Sequence, residues 1–537
     1  MPEGIDPEGT ATCGPGSERG IDSSPIDARG SRVSVPPRLG WILVVSAAVL
    51  VGLALRIHGL TGNTIWVDEA DAIRIASMNL SEIPLALAHD TQPPLYYALL
   101  HAWIAIFGDG VAAVRSLSVL CGVLLIPAAA LLARRVGGAR SGMAAAWLMA
   151  ASPFAVQFSQ ETRMYMLLPL LATLALERLI VFLHRGDRGA LVAHAALMAA
   201  AFYTHNWGLL ILPASALMVA LYPGSRRTGW SLAAGSAVLT YLPWLPVLAQ
   251  QAGSPAYGWV EKVQTLPAWE LPLRSMIIFA WGVGTAGGPV RTVLLGIPGV
   301  VVAVAWCVLI GFAVLAAEDR RAAAALLIGM ATPLLLASVY SGIVRPVYIA
   351  GRHEIMVLPV AIALAACGAS VLLRGQSLTI LITAWVSMLA FAWFSVASDI
   401  QRRTPEKDLA DRLAPLLERG DRLVFTGLHR AAMEYYLRRQ GAAYEGSSFP
   451  PDVASHQGWY DDSLYTPDDP NLVAAARSHC PSAGARTWIV ATRTRTAGIL
   501  IKQIRACARA TAPLAHLGYP YYSLILAEPN PQPGIAR

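Results

Sequence analysis

Charge is what this chain has least of. Only 14% of its 537 residues are Asp, Glu, Lys or Arg, against about a quarter in an ordinary soluble protein. With 55% of positions hydrophobic and a mean hydropathy of +0.50, the shortage excludes a chain that is soluble throughout and indicates a polytopic α-helical membrane protein. Other absences narrow the chemistry. The sequence has no Gly-rich phosphate loop after a strand, no Cys-x-x-Cys pair and no His-Glu-x-x-His helix, so nucleotide-loop, dithiol and zinc-helix mechanisms lack their residues. It has no internal repeat, whereas many transporters are built from two related halves. The N-terminal stretch is rich in Gly, Pro, Ser and Asp and has no apolar core, so residues 1–38 read as a disordered tail and not as a signal peptide.

What charge there is falls in a pattern. Apolar runs begin at Trp41 and then near Arg115, Ser141, Tyr165, Gly189, Trp207, Trp230, Val293, Ala322, His353 and Ser377, which makes about eleven spans. Arg134, Arg135 and Arg140, then Arg185 and Arg188, Arg226 and Arg227, Arg320 and Arg321, and Arg374 lie in alternate loops. Arginine-rich loops stay cytoplasmic, as does the tail with Arg29, Arg32 and Arg38, so the net charge of +7 reports topology and not a polyanionic partner. The threading holds only if Pro94 to Phe107 lies at the outer interface; that segment is short and opens on Pro93-Pro94. The catalytic membrane domain is then 39–398, and residues 399–537 form an extracytoplasmic domain. Its expected helices are Glu406 to Arg419 and Ala431 to Arg439. Its expected strands are Arg422 to Thr426, Thr487 to Ala491 and Tyr522 to Ala527, a small α/β unit. Cys480 and Cys507, the only cysteines there, are either a disulfide or two buried thiols.

The same parity puts every polar cluster on the outer face. Asp68 and Glu69 form an adjacent carboxylate pair just beyond the first span, and His89-Asp90-Thr91-Gln92 follows in the same loop. Charge at a membrane edge is costly and usually functional. Ser159 to Tyr165, Tyr203 to Trp207, a long loop from Ala249 to Arg291, and Arg345 to Glu354 complete the set. Each feature has a plainer reading. Asp68 and Glu69 would suit the N-terminus of a helix starting at Ala70, and His89-Asp90 a turn before Pro93. Arg163 would serve as a headgroup anchor, His205 as a hydrogen-bonded histidine at a helix end, and Trp66, Trp103, Trp207, Trp244 and Trp259 as interfacial anchors. Asp68, Glu69, His89 and Asp90 have the chemistry to bind a divalent ion, which leaves a divalent cation open, but their spacing demands none and no metal ligands are assigned.

A carboxylate pair on an outer face, with arginines arriving from other loops, suits glycosyl transfer from a lipid-phosphate sugar. A carboxylate takes the acceptor's proton while cations hold the phosphate leaving group. Six segments carry a resemblance: Trp66-Val67-Asp68-Glu69, Gln92-Pro93-Pro94-Leu95-Tyr96-Tyr97, Gln160-Glu161-Thr162-Arg163-Met164-Tyr165, Tyr203-Thr204-His205, Tyr241 to Pro246, and Arg345-Pro346-Val347-Tyr348 with Gly351-Arg352-His353. In this order, over residues 41 to about 373, they resemble the GT-C superfamily of polyprenyl-phosphate-sugar-dependent glycosyltransferases. The similar group contains protein O-mannosyltransferases, lipid A aminoarabinose transferases and lipopolysaccharide galacturonosyltransferases.

The resemblance implies a GT-C fold and an inverting transfer from a polyprenyl-phosphate sugar to an acceptor hydroxyl of a glycan, lipid or protein. It implies Asp68 as base with Glu69 beside it, His89, Asp90, Gln92 and His205 at the substrate, and Arg163, Tyr165 and Arg352 facing the phosphate. Many members have Arg-Tyr where this chain has Arg352-His353. Neither sugar nor acceptor can be named from the residues. The alternative of another class is a lipid-linked glycan translocator or transporter; phosphoethanolamine transfer lacks its metal site and nucleophile here.

Overall fold

The computed structural model describes residues 37–255, 258–282, 296–400, 404–481, 485–510 and 522–529. The tail readings on residues 1–36, Arg291 and the expected span start at Val293 lie outside the described residues, as does the Trp259 side chain.

The membrane part opens with α1 (Pro37–Ile57), then α2 (Val67–Ala76), α3 (Ile83–Ala88) and α4 (Leu95–Phe107). Next come α5 (Val111–Ala151), α6 (Pro153–Ser159), α7 (Leu167–Arg185), α8 (Arg188–Phe202), α9 (Ile211–Ala220), α10 (Gly224–Tyr241), α11 (Leu245–Ala252), α12 (Gly258–Val263) and α13 (Leu271–Trp281). It closes with α14 (Ile297–Ala316), α15 (Arg320–Ile343), α16 (Leu358–Leu372) and α17 (Gln376–Ile400). Among the described residues, eight helical stretches are long and apolar enough to cross a membrane. One of them, α5, is kinked at Gly137 and Gly138, and three shorter apolar helices cover Leu95–Phe107, Arg188–Phe202 and Asn206–Ala220.

The kink corrects one detail of the threading. Arg134, Arg135 and Arg140 flank no open loop: Gly138 takes φ 76 inside the 41-residue α5, a left-handed conformation open to glycine. A Cβ there would also meet the Glu318 carboxylate at 2.8 Å. Helix α4 has 13 residues, about 20 Å at 1.5 Å per residue, too short for a ~30 Å hydrocarbon layer. Only Tyr96, Tyr97 and Leu100 of α4 are buried, and Ile106 and Phe107 are exposed, the pattern of a helix lying on an interface.

The core sits on α16, whose residues Leu358 to Ala369 are all buried between α5 and α14. By contrast α1, α10 and α17 leave Leu43, Leu50, Leu232, Leu239, Ile380 and Phe391 exposed. In water such faces would be a liability, but against lipid chains they cost nothing.

Beyond α17 come α18 (Pro405–Leu413), β1 (Arg422–Thr426), α19 (Arg430–Arg439), β2 (Glu445–Phe449), α20 (Pro470–Ser478), β3 (Thr487–Thr492), α21 (Arg495–Cys507), β4 (Ala508–Ala510) and β5 (Tyr522–Pro529). The sheet order is β2-β1-β3-β5-β4. Strands β2, β1 and β3 are parallel, and β5 runs antiparallel to β3 and β4. Cys480 and Cys507 form a disulfide. The C-terminal unit sits on the first outer loop: Tyr436 Oη accepts from the Ile65 amide at 2.6 Å, and Arg438 and Arg439 pair with Asp109 at 2.6 and 2.9 Å.

Candidate active site

Helix α2 starts at Val67 because Trp66 leaves it in extended conformation, φ −99 and ψ 172. Asp68 and Glu69 therefore occupy its first turn and project in different directions. The Asp68 Oδ2 accepts from Arg352 Nη2 at 2.6 Å. Glu69 turns inward, fully buried, and takes Arg115 in a two-point contact at 2.8 and 2.7 Å while accepting from the Thr162 amide at 2.9 Å. Arg115 also donates to the carbonyls of Leu60, Asn63 and Thr64. The adjacent pair thus divides. Asp68 faces the cavity described below, whereas Glu69 is outside its wall, and its expected catalytic place is corrected to that of a buried tie between α2, α5 and the loop at Thr162.

That loop, between α6 and α7, carries Arg163 and Tyr165. The Gln160 amide pins it to the carbonyls of Arg56 and His58, and Ser118 Oγ donates to the Arg163 carbonyl. Arg163 is 7% exposed; its Nη1 donates to the Asp68 carbonyl at 3.3 Å. The loop after α15 carries Arg352. Its Nε donates to Tyr165 Oη at 2.7 Å. Glu354, buried in an apolar stretch, holds this loop: its oxygens accept from the backbone amides of Gly351 and Arg352 and from Ser275 Oγ. Sequence reasoning missed Glu354; the available signal was an acid one step beyond Arg352-His353 where a span begins.

These segments enclose one cavity of about 900 Å³. Its polar end is lined by Asp68, Asp90, Gln92, Arg163, Tyr165, His205 and Arg352, all expected, and by Asp71, Asn206 and His353. Asp71, one helical turn beyond Asp68, was not anticipated; it pairs with Arg74 at 2.7 Å. His89 does not reach the cavity: its side chain is exposed, and its carbonyl accepts from Trp459 Nε1 at 3.1 Å. The expected substrate contact there is corrected, since α3 ends at Ala88 and the turn points the imidazole away from the wall. The other end is apolar, with Leu336, Val339, Tyr340, Ile343 and Val344 of the α15 edge in the wall. These same side chains are exposed, Ile343 by 79%, so the cavity opens sideways toward the lipid-facing surface.

Burial sets the charge states at the polar end. Loss of water, with Asp71 nearby, pushes the Asp90 carboxyl up to about 6 despite the opposing charge of Arg163. His205 is held down to about 3 by burial and by the charges of Arg163 and Arg352, so it is neutral. Its Nδ1 accepts from the Trp207 amide at 3.0 Å; the proton is then on Nε2, making that atom a donor. Gln92 Oε1, Arg163 Nε, His205 Nε2 and Asn206 Oδ1 are buried without a protein partner among the described residues. Buried polar groups are costly unless satisfied, so this wall has hydrogen-bonding capacity for a polar ligand. Among the described residues no group of His, Cys, Asp or Glu side chains is arranged to hold a metal ion.

Residues 91–249 match the family model described as dolichyl-phosphate-mannose-protein mannosyltransferase. Comparison with curated proteins gives no match. Among solved structures, ArnT from Cupriavidus metallidurans bound to undecaprenyl phosphate is similar with a TM-score of 0.56 at 16% identity, covering 91% of this chain and 98% of that one. The oligosaccharyltransferase of Archaeoglobus fulgidus tethered with an acceptor peptide is similar with a TM-score of 0.54 at 13% identity, covering 85% of this chain and 69% of that one. The chain has the fold of the GT-C superfamily of glycosyltransferases, whose members here are similar to it over most of its length.

Proposed function

We propose that this protein is an integral membrane glycosyltransferase that moves a sugar from a polyprenyl phosphate to an acceptor hydroxyl on the outer face of a bacterial plasma membrane. The observation that carries the reading is the two-ended cavity. A carboxylate and two arginines, Asp68, Arg163 and Arg352, stand at one end, and an apolar flank open to lipid stands at the other. A polyprenyl phosphate has that same division between an anionic head and an apolar tail.

In the reaction, Asp68 takes the acceptor's hydroxyl proton as the acceptor oxygen bonds to the sugar's anomeric carbon. The bond from that carbon to the phosphate oxygen breaks, and the electron pair leaves with the polyprenyl phosphate. Attack from the face opposite the leaving group inverts the anomeric centre. Arg163 and Arg352 hold the phosphate oxygens, and planar guanidinium forks suit them. Arg352 is paired with Asp68 before donor arrives, so a phosphate drawing on Arg352 also releases the base. Tyr165, bonded to Arg352 Nε, keeps the guanidinium in place. His205 Nε2 donates to the head group or the sugar, and Gln92 Oε1 accepts from a sugar hydroxyl. The arginine pattern supports a cytoplasmic N-terminus and an extracytoplasmic C-terminal domain over residues 399–537.

The test uses the purified chain in nanodiscs with a polyprenyl-phosphate sugar labelled in the sugar and an envelope fraction as acceptor. Loss of labelled lipid matched by labelled envelope product and free polyprenyl phosphate is expected. Movement of unaltered donor across the bilayer, with no product, would identify a translocator.

A further inference from the structure

The cavity has a roof that the membrane helices do not supply. Leu428, Gly458, Trp459 and Tyr460 of the C-terminal unit complete its wall. Two of their contacts locate the roof at the polar end. Trp459 Nε1 donates to the His89 carbonyl, next to Asp90. Gly458 passes so close to α2 that a Cβ would lie 2.6 Å from Asp71 Oδ2, so a larger residue there displaces either the loop or the Asp71 carboxylate. The ring of His456 stacks on Trp459 with centroids 3.9 Å apart and 14° between planes, which fixes the indole.

The loop is tied down from both sides. Lys262 of α12 pairs with Asp461 at 2.8 Å. Asp462 accepts from the Arg495 and Thr496 amides at the start of α21, at 2.7 and 3.2 Å, and from Tyr460 Oη at 2.6 Å. That anchorage explains the sheet. With β2 and β3 on opposite sides of β1, the crevice past the carboxyl ends of β1 and β3 is a topological switch point, where open α/β sheets commonly bind anionic ligands at a helix N-terminus. Here the chain's own Asp462 carboxylate occupies that helix end, and the position serves to hold the roof loop.

We propose that Trp459 is the platform for the transferred sugar, and that Asp462 is a positioning residue that holds it there. A sugar ring offers hydroxyls to one side and a patch of C–H groups to the other. The cavity offers the complement, with Asp71, Asp90 and Gln92 around an aromatic side chain. The proposal rests on the glycosyltransferase reading and names the part of the site that recognises the sugar rather than the lipid.

The experiment measures binding of undecaprenyl phosphate, and of its mannosyl, galacturonosyl and aminoarabinosyl esters, to the full chain in nanodiscs. The parent is expected to bind at least one ester more tightly than the bare lipid phosphate. Trp459→Ala is expected to lose roughly 3- to 10-fold of that sugar-dependent gain, the scale of one aromatic contact, with bare undecaprenyl phosphate bound as before. Trp459→Phe is expected to keep part of the gain, and Asp462→Ala to lose it although the indole remains. A gain that survives in Trp459→Ala, or a parent that gains from none of the esters, overturns the proposal. Trp459→Ala that also loses the bare lipid phosphate overturns it too, since the residue is then structural. A parent that binds no lipid phosphate at all overturns the glycosyltransferase reading itself.

Discussion

Glu69, tied to Arg115, turns into the core beside Asp68, the proposed base. The Glu69 and Arg115 side chains are buried, 0% and 2% exposed, and joined by two contacts. Removing one partner of a buried ion pair leaves an uncompensated charge and costs ~3–5 kcal/mol. Arg115 keeps its three backbone carbonyls in Glu69→Gln, so the lower end, about 3 kcal/mol, is expected. Oε1 accepts from both Arg115 Nε and the Thr162 amide, contacts a glutamine oxygen can keep, but the glutamine NH2 in place of Oε2 meets Arg115 Nη2 donor against donor, and the tie between α2 and α5 loosens. Unfolding of the chain in nanodiscs, read beside turnover, separates the effects. Glu69→Gln is expected to lower stability and turnover together. The double variant Glu69→Leu, Arg115→Met is expected to regain most of the stability, because two apolar residues leave no buried charge, while turnover stays low. A Glu69→Gln protein as stable as the parent with turnover down by roughly 10²-fold or more, the scale of a lost general acid or base, would refute this assignment.

Three further outcomes follow from the same geometry. Arg352→Lys replaces a fork that reaches both Tyr165 and Asp68 by a point charge, and is expected to weaken donor binding about tenfold or more in a folded protein; unchanged affinity in a binding titration would move the phosphate site. Asp90 has its folded value raised to about 6 from an unfolded value near 3.9, so the native state favours its protonated form and loses that contribution as pH rises from about 4 through about 6. The stability advantage of Asp90→Asn over the parent is therefore expected to grow across that window and level off above it, and a constant difference between pH 4 and 7 would contradict it. The Cys480–Cys507 bridge closes 27 residues, worth about 3.5 kcal/mol on a chain-entropy estimate, so paired Cys→Ser changes are expected to destabilise the C-terminal unit in denaturant; equal midpoints would argue otherwise.

Much of this was legible because periodicity and charge parity carry it. The apolar runs located most of the apolar helices, including α8 and α9, which are too short to stand out by length. Strands β1 and β3 were legible as short β-branched runs. Strand β2, Glu445–Phe449, was not, because its Gly446-Ser447-Ser448 core has little strand preference and pairs only because β1 lies beside it. At the site, Asp68, Arg163 and Arg352 were legible as charges out of place, and the structure gathers them in one cavity wall. Glu69 was misread because adjacency in sequence does not imply a shared direction: successive residues on a helix point about 100° apart, and here one faces the cavity and the other the core. The roof at Trp459 had no local signal, since it arrives from a segment nearly 400 residues beyond Asp68.

The most direct measurement is turnover against donor affinity in Asp68→Asn. As the base, Asp68 acts in the transition state, and its removal is expected to lower kcat by roughly 10²-fold or more. The same change breaks the ion pair that occupies Arg352, so affinity for a donor-lipid analogue is expected to stay equal or tighten. Near-parental kcat in a folded Asp68→Asn protein, or a loss confined to donor affinity, would contradict the proposed mechanism.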